Sequence, residues 1–146
     1  MPRSVCSTAA AALLCAAAIT GVYAHHSIAA VYDNARRIEI EGNVTEFKFV
    51  NPHPVLVVEI GGEASGRESW ELEMDNRSEL AAIGVTASTF RPGDHVVASG
   101  NPARRLAHRL YLLELNRPAD GFRYAQVGTR PRIDRKGAPG DPGRRP

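Results

Sequence analysis

Ile38-Glu39-Ile40-Glu41-Gly42-Asn43-Val44-Thr45-Glu46-Phe47-Lys48-Phe49 is the stretch on which the fold turns. Ile38, Ile40 and Val44 alternate with Glu39, Glu41 and Asn43, the period-two pattern of a strand with one wet face. Phe47 and Phe49 fall on the opposite parity. A β-bulge or bend between Gly42 and Glu46 restores a single apolar face, a device that strongly curved barrel strands use.

Downstream, Asn51-Pro52-His53-Pro54 ends the strand, because two prolines within four residues forbid a continuing ladder. Val55 to Ile60 is a second strand, near-continuously apolar, expected to be buried on both faces and stopped by Gly61-Gly62. Glu68 to Met74 is a third. It sends Trp70, Leu72 and Met74 one way and Glu71, Glu73 and Asp75 the other, and Trp70 reads as a core anchor. From Asn76 to Gly84 the period changes: Leu80, Ile83 and the alanines sit at helical spacing, with Asp75 or Asn76 as N-cap and Gly84 as stop. The turn Phe90-Arg91-Pro92-Gly93-Asp94 leads into a fourth strand, His95 to Ser99. His108 to Leu115 makes a fifth, and Asp120-Gly121-Phe122 offers a short terminal hairpin. Three strands, one helix and two strands is the element order of the OB-fold. The expected fold is therefore mainly β, a small OB-like five-stranded β-barrel with one short helix between strands three and four. A generic small barrel or a sandwich is the competing assignment, since element order alone does not fix topology.

Upstream, a single Arg3 precedes an uncharged, mostly apolar run from Val5 to Val22 that ends in Val22-Tyr23-Ala24. Small residues at the minus-three and minus-one positions predict a signal peptide, residues 1–24, cleaved before His25. An uncleaved anchor is the alternative, since about 18 apolar residues can just span a bilayer. A lipoprotein signal fits less well, because Ala12-Leu13-Leu14 precedes Cys15. Cleavage places the protein in the periplasm or outside the cell, with no stable membrane span. It also removes Cys6 and Cys15, the only two cysteines of the 146 residues, so a mature chain starting at His25 has no disulfide and no thiolate. Any metal must rely on histidine and carboxylate.

Composition divides the remainder into a β-barrel domain, residues 25–129, with 11 basic and 14 acidic residues, and a tail with six basic and two acidic ones. The tail, residues 130–146, is rich in Pro, Gly and Arg and holds one aliphatic side chain, so it is expected to be disordered. Single-strand nucleic-acid binding needs a basic groove with stacking aromatics. A net-acidic domain with few aromatics makes nucleic acid an unlikely partner.

The five histidines are the centres that could carry chemistry. A mature chain beginning His25-His26-Ser27 can close a chelate ring on a metal with its α-amino group and the His25 imidazole. The amine loses its proton near neutral pH at little cost. Nitrogen donors in a flat arrangement suit Cu(II) or Ni(II), and copper leads on affinity. His26 or His53, the latter from a rigid turn, would complete the site. The plain alternative is that His25 and His26 lie at an exposed junction and His53 is an ordinary turn residue. His95 and His108 read as solvent-facing strand residues, and Glu73 as a polar-face residue that could otherwise ligate. No zinc-type His-Glu-x-x-His, phosphate loop or Gly-x-Ser-x-Gly elbow is present, so no catalytic residue is assigned and no enzyme is expected. The second class of function is a non-metal module that holds an envelope partner or a small ligand on the barrel face or its loops.

Ala24-His25-His26-Ser27, Gly42-x-Val44 leading to Asn51-Pro52-His53, Trp70-x-x-Glu73, Leu80 with Gly84, and Pro92-Gly93-Asp94-x-Val96 together resemble a bacterial family of small exported proteins, domain of unknown function 6152. The resemblance runs from His25 to about Phe122. Two departures stand out: Val85 where the family usually has Trp, and Arg104-Arg105-Leu106-Ala107 where it has a Gly-containing turn, which implies a different last hairpin. The resemblance implies an exported β-rich domain and brings no activity, catalytic residue or ligand.

Overall fold

The computed structural model describes residues 28–62 and 66–134. The expected signal segment with its cleavage site, His25 and His26, and residues 135–146 of the expected tail lie outside them. A one-turn helix, α1 (Ile28–Val31), precedes seven strands: β1 (Ile38–Lys48), β2 (Val55–Gly62), β3 (Gly66–Glu73), β4 (His95–Pro102), β5 (Arg109–Arg117), β6 (Phe122–Val127) and β7 (Arg130–Asp134). Helix α2 (Arg77–Ala82) lies between β3 and β4.

β1 is the long bent strand that its two apolar parities require. Its register against β2 slips between Val44 and Glu46, which makes Thr45 the bulge. Ile40 and Val44 are buried before the bulge, and Phe47 and Phe49 pack on the same core after it. The bend lets β1 pair with β4 through Ile38–Asn43 and with β2 through Asn43–Lys48. Gly42 sits where the strands approach most closely: a Cβ there would lie 2.3 Å from the Glu59 carbonyl oxygen.

β2 pairs with β3 along its length, and Glu71–Glu73 of β3 pair in parallel with Arg109–Tyr111 of β5. Since β5 also pairs with β4, the circuit β1-β2-β3-β5-β4-β1 closes into the five-stranded barrel of the OB-fold. The core is made by Leu56, Val58, Leu72, Met74, Val96, Leu110 and Leu112, all fully buried. On the outer face of β2, Val57 is also buried, so both faces are covered only at the centre of that strand.

α2 forms where the period changes. Asn76 caps it by accepting the Ser78 N–H at 2.8 Å, Leu80 is its buried residue, and Gly84 takes a left-handed φ of 89° just beyond its end. The Pro92-Gly93-Asp94 turn docks on the bulge of β1, with Gly93 N–H donating to the Val44 carbonyl and Val44 N–H to the Asp94 carbonyl, both at 2.8 Å. Arg117 locks the same region. Its guanidinium donates to Asp94 at 2.6 Å, to Asp120 at 2.9 Å and to the Thr89 carbonyl at 2.6 Å, and it lies over the rings of Phe90 and Phe122.

Three expectations are corrected. The tail does not start at Arg130: Arg130–Asp134 form β7, antiparallel to β6, with Pro131 buried. Composition missed this because pairing to an existing edge supplies backbone hydrogen bonds that need few apolar side chains. Trp70 is half-buried at the rim of the core, its indole N–H donating to Glu68 at 3.3 Å. His108 precedes β5, at a φ of 55° in the turn that leads to it.

Candidate metal-binding site

His53 sits in the β1–β2 connection, held between β3 and α2. The Pro52 carbonyl accepts from Arg77 N–H at 3.0 Å and the Pro54 carbonyl from Met74 N–H at 2.9 Å, while the Asn51–Pro52 bond is cis. The imidazole Nδ1 lies 3.1 Å from the Met74 carbonyl oxygen. A carbonyl only accepts, so Nδ1 carries a proton, and in the neutral ring the lone pair is left on Nε2. Histidines that bind metals are commonly oriented this way, one ring nitrogen tied to a backbone carbonyl and the other presented outward.

Glu73 is not such a ligand. Its Oε2 accepts a short hydrogen bond from the Tyr32 hydroxyl and one from the Arg109 guanidinium at 2.9 Å, and Arg109 Nε also donates to the Tyr32 oxygen at 3.0 Å. Glu71 flanks Arg109 at 3.4 Å. Tyr32 is 1% exposed, and burial together with the Glu73 carboxylate pushes its hydroxyl well above the usual tyrosine range. This knot ties the chain that follows α1 to the seam where β3 meets β5. The main chain adds to it: Asp33 N–H donates to the Pro102 carbonyl at 2.9 Å, and Tyr32 bridges to Ala103.

Sequence reasoning missed both Tyr32 and Arg109. Tyr32 stands outside any periodic segment, and Arg109 reads as an ordinary polar-face residue. The one signal available was the odd position of Glu73, a carboxylate on a strand that closes a barrel.

The remaining histidines lie apart. His95 is exposed on β4, its Nε2 3.0 Å from Glu41. His108 is exposed in the β4–β5 loop, its ring 5.3 Å from that of Trp70 and its Nε2 3.6 Å from Glu68. Among the described residues no three histidine, cysteine or carboxylate side chains converge tightly enough to hold a metal. The structure thus places His53 and His108 in two different loops and gathers neither with a second ligand; His25 and His26 fall outside the described residues.

Two grooves mark the surface. One, of about 420 Å³, crosses the outer face of β4, β5 and β6, with Glu39, Glu114, Asp134 and Arg123 among its walls. The other, of about 360 Å³, lies between β3 and the β4–β5 loop. No helix among the described residues is long and apolar enough to cross a membrane.

Compared with protein-family models, residues 11–110 match one described as a family of unknown function, DUF6152. No curated protein and no solved structure matches the chain.

Proposed function

The chain belongs to the DUF6152 family, which has no assigned activity, and from its own residues we propose that it is an exported, non-catalytic β-barrel module that binds a transition metal, copper first, through its mature N-terminus. In this reading His25 supplies the α-amino nitrogen and an imidazole nitrogen, and His26 or His53 completes the site. The observation that carries it is the His53 ring, whose Nδ1 proton is directed at the Met74 carbonyl so that Nε2 is the available donor. The Tyr32 knot supports it, because it anchors the chain seven residues after His25 and so limits how far the terminus can stray from the barrel. The proton that the amine must lose on binding costs little near neutral pH.

The test is a Cu(II) titration of protein that begins at His25, beside a version with one extra N-terminal residue and beside His53→Gln. An extra residue moves the free amine away from the His25 imidazole and breaks the chelate ring. Tight binding by the His25-initiated protein, weakened by about tenfold or more in the extended version, is the expected result, and a like loss in His53→Gln assigns the remaining donor to His53 rather than His26. Equal affinity of the extended and unextended forms refutes chelation by the amine.

A second reading, a module for a non-metal ligand or an envelope partner, draws support from the groove of about 420 Å³ on the β4–β5–β6 face. Its lining mixes three carboxylates with Arg123, so the ligand would be polar and bear positive charge. Capture of such a ligand by metal-free protein, lost on charge reversal at Glu114, would favour it over the first.

A further inference from the structure

Strand register decides what lines the groove of about 420 Å³ on the outer face of the barrel. Glu39 of β1 lies opposite Ser99 of β4, Ser99 opposite Glu114 of β5, and Glu114 opposite Ala125 of β6. Partners in such a row stand about 5 Å apart, so two carboxylates flank one hydroxyl from adjacent strands. The next row, Val97, Asn116, Arg123 and Asp134, adds one cation and a third carboxylate to the lining.

Ser99 lines this outer groove yet is only 8% exposed, and a guanidinium of the same chain lies on it. Arg37 donates to the Ser99 hydroxyl from Nε at 3.2 Å and from a terminal nitrogen at 2.8 Å, and that nitrogen also meets Glu114 at 2.8 Å. The entry to β1 is held in place for this contact: Asn101, also 8% exposed, donates its side-chain amide to the Arg36 carbonyl at 2.6 Å. A guanidinium is planar and presents its N–H groups as a fixed fork, and the hydroxyl and carboxylate under Arg37 are placed to receive that fork.

Arg37 does not use the whole bed. Glu39, on the other side of Ser99, is exposed and makes no hydrogen bond or ion pair among the described residues. Arg37 itself is 48% exposed, and a surface pair of this kind opens into water at small cost. The groove therefore offers a free carboxylate beside one that is covered by a displaceable group.

We propose that this groove binds a small guanidinium-bearing ligand between Glu39 and Glu114, and that Arg37 is an internal occupant which the ligand displaces from Glu114. The proposal rests on the non-metal reading above and adds to it the ligand class and a built-in competitor. An occupant that must leave first lowers the observed affinity by the fraction of time the bed is free. Metal-free protein is titrated with arginine amide at low salt, with lysine amide alongside, and the amide resonances of Ser99, Glu114 and Ala125 are followed by NMR. Arg37→Met should bind arginine amide about three- to tenfold more tightly than the parent, the reverse of what loss of a binding residue does. In that background Glu39→Gln should lose about tenfold or more. Equal affinity of the parent and Arg37→Met overturns the internal occupant, and equal affinity for lysine amide overturns the choice of guanidinium; neither result touches the non-metal reading. If arginine amide shifts none of these resonances in either protein, the whole proposal falls, while the non-metal reading stands or falls on the Glu114-dependent capture described above.

Discussion

Glu73 is the residue on which the structural and functional readings diverge, and Glu73→Gln separates them. Its side chain is 16% exposed, and its carboxylate serves both the buried Tyr32 hydroxyl and the Arg109 guanidinium. The substitution keeps the volume and removes the charge that the two donors share. A hydrogen bond to a charged partner contributes about 1.5–3 kcal/mol net. Arg109 retains Glu71 at 3.4 Å, so a loss of about 2 kcal/mol is expected rather than the larger cost, about 3–5 kcal/mol, of stranding a buried charge. Tyr32→Phe should lose a similar amount, because its ring stays against Tyr111 at 5.7 Å while the hydroxyl bond disappears. Both changes break one shared interaction, so the double variant should fall short of the sum by about 1–2 kcal/mol. Urea unfolding of the four proteins measures this cycle, and in thermal scans each kcal/mol should appear as roughly 4 °C. Additivity within about 0.3 kcal/mol would show that Tyr32 and Glu73 are not coupled and would refute the anchoring argument. Copper affinity is the second readout: Glu73→Gln should weaken it by less than the loss of a ligand, about tenfold, because Glu73 acts on the terminus through the Tyr32 anchor and its carboxylate is already occupied.

Gly42→Ala should destabilise by about 2 kcal/mol, since its Cβ would meet backbone at 2.3 Å, while Gly62→Ala, which meets nothing within 4 Å, should be neutral or slightly stabilising; urea midpoints decide, and equal effects refute the close-approach argument. Burial holds the hydroxyls of Tyr32, Tyr111 and Tyr124 above the usual tyrosine range, with Glu73 adding for Tyr32 and Asp75 for Tyr111. The folded chain therefore keeps protons that the unfolded chain releases near pH 10. Stability should be full below about pH 10 and fall above it by about 1.4 kcal/mol per pH unit for each tyrosine, so a urea midpoint that stays constant from pH 8 to pH 11 contradicts the assignment. Arg117→Ala should cost about 3 kcal/mol because it leaves the Thr89 carbonyl without its side-chain donor and Asp94 without its cationic partner, with the Arg91 N–H still donating to Asp94 at 3.0 Å, whereas Asp120→Asn, at a carboxylate 52% exposed, should cost under about 1 kcal/mol; calorimetry on both variants checks the contrast.

The legible parts of the fold share a cause. Alternation at Ile38–Val44, the parity change at Phe47, the prolines around His53 and the Asn76 cap are local statements, each enforced by φ/ψ limits or by which face of one element must be dry. β7 was hidden because its ordering comes from a neighbouring edge, and Arg130-Pro131-Arg132-Ile133-Asp134 carries little pattern of its own. For the candidate site, the sequence singled out His53 through its turn, yet the orientation of the ring depends on the Met74 carbonyl, 21 residues away. His108 looked like a strand residue because its left-handed backbone has no sequence mark.

By itself the sequence determined a mainly β chain with a bulged first strand, one capped helix between strands three and four, and the five-strand order of an OB-like barrel, because these follow from local sterics and the period of apolar residues. The tertiary structure alone decided what the charged residues do. Glu73 turned from a possible ligand into the acceptor of a buried Tyr32–Arg109 knot, and Arg37 came to lie across Ser99 and Glu114 in the groove on the outer face. The reason is distance along the chain: Tyr32 meets Glu73 across 41 residues and Arg109 across 77. Only closure of the barrel sets those separations to a hydrogen-bond length.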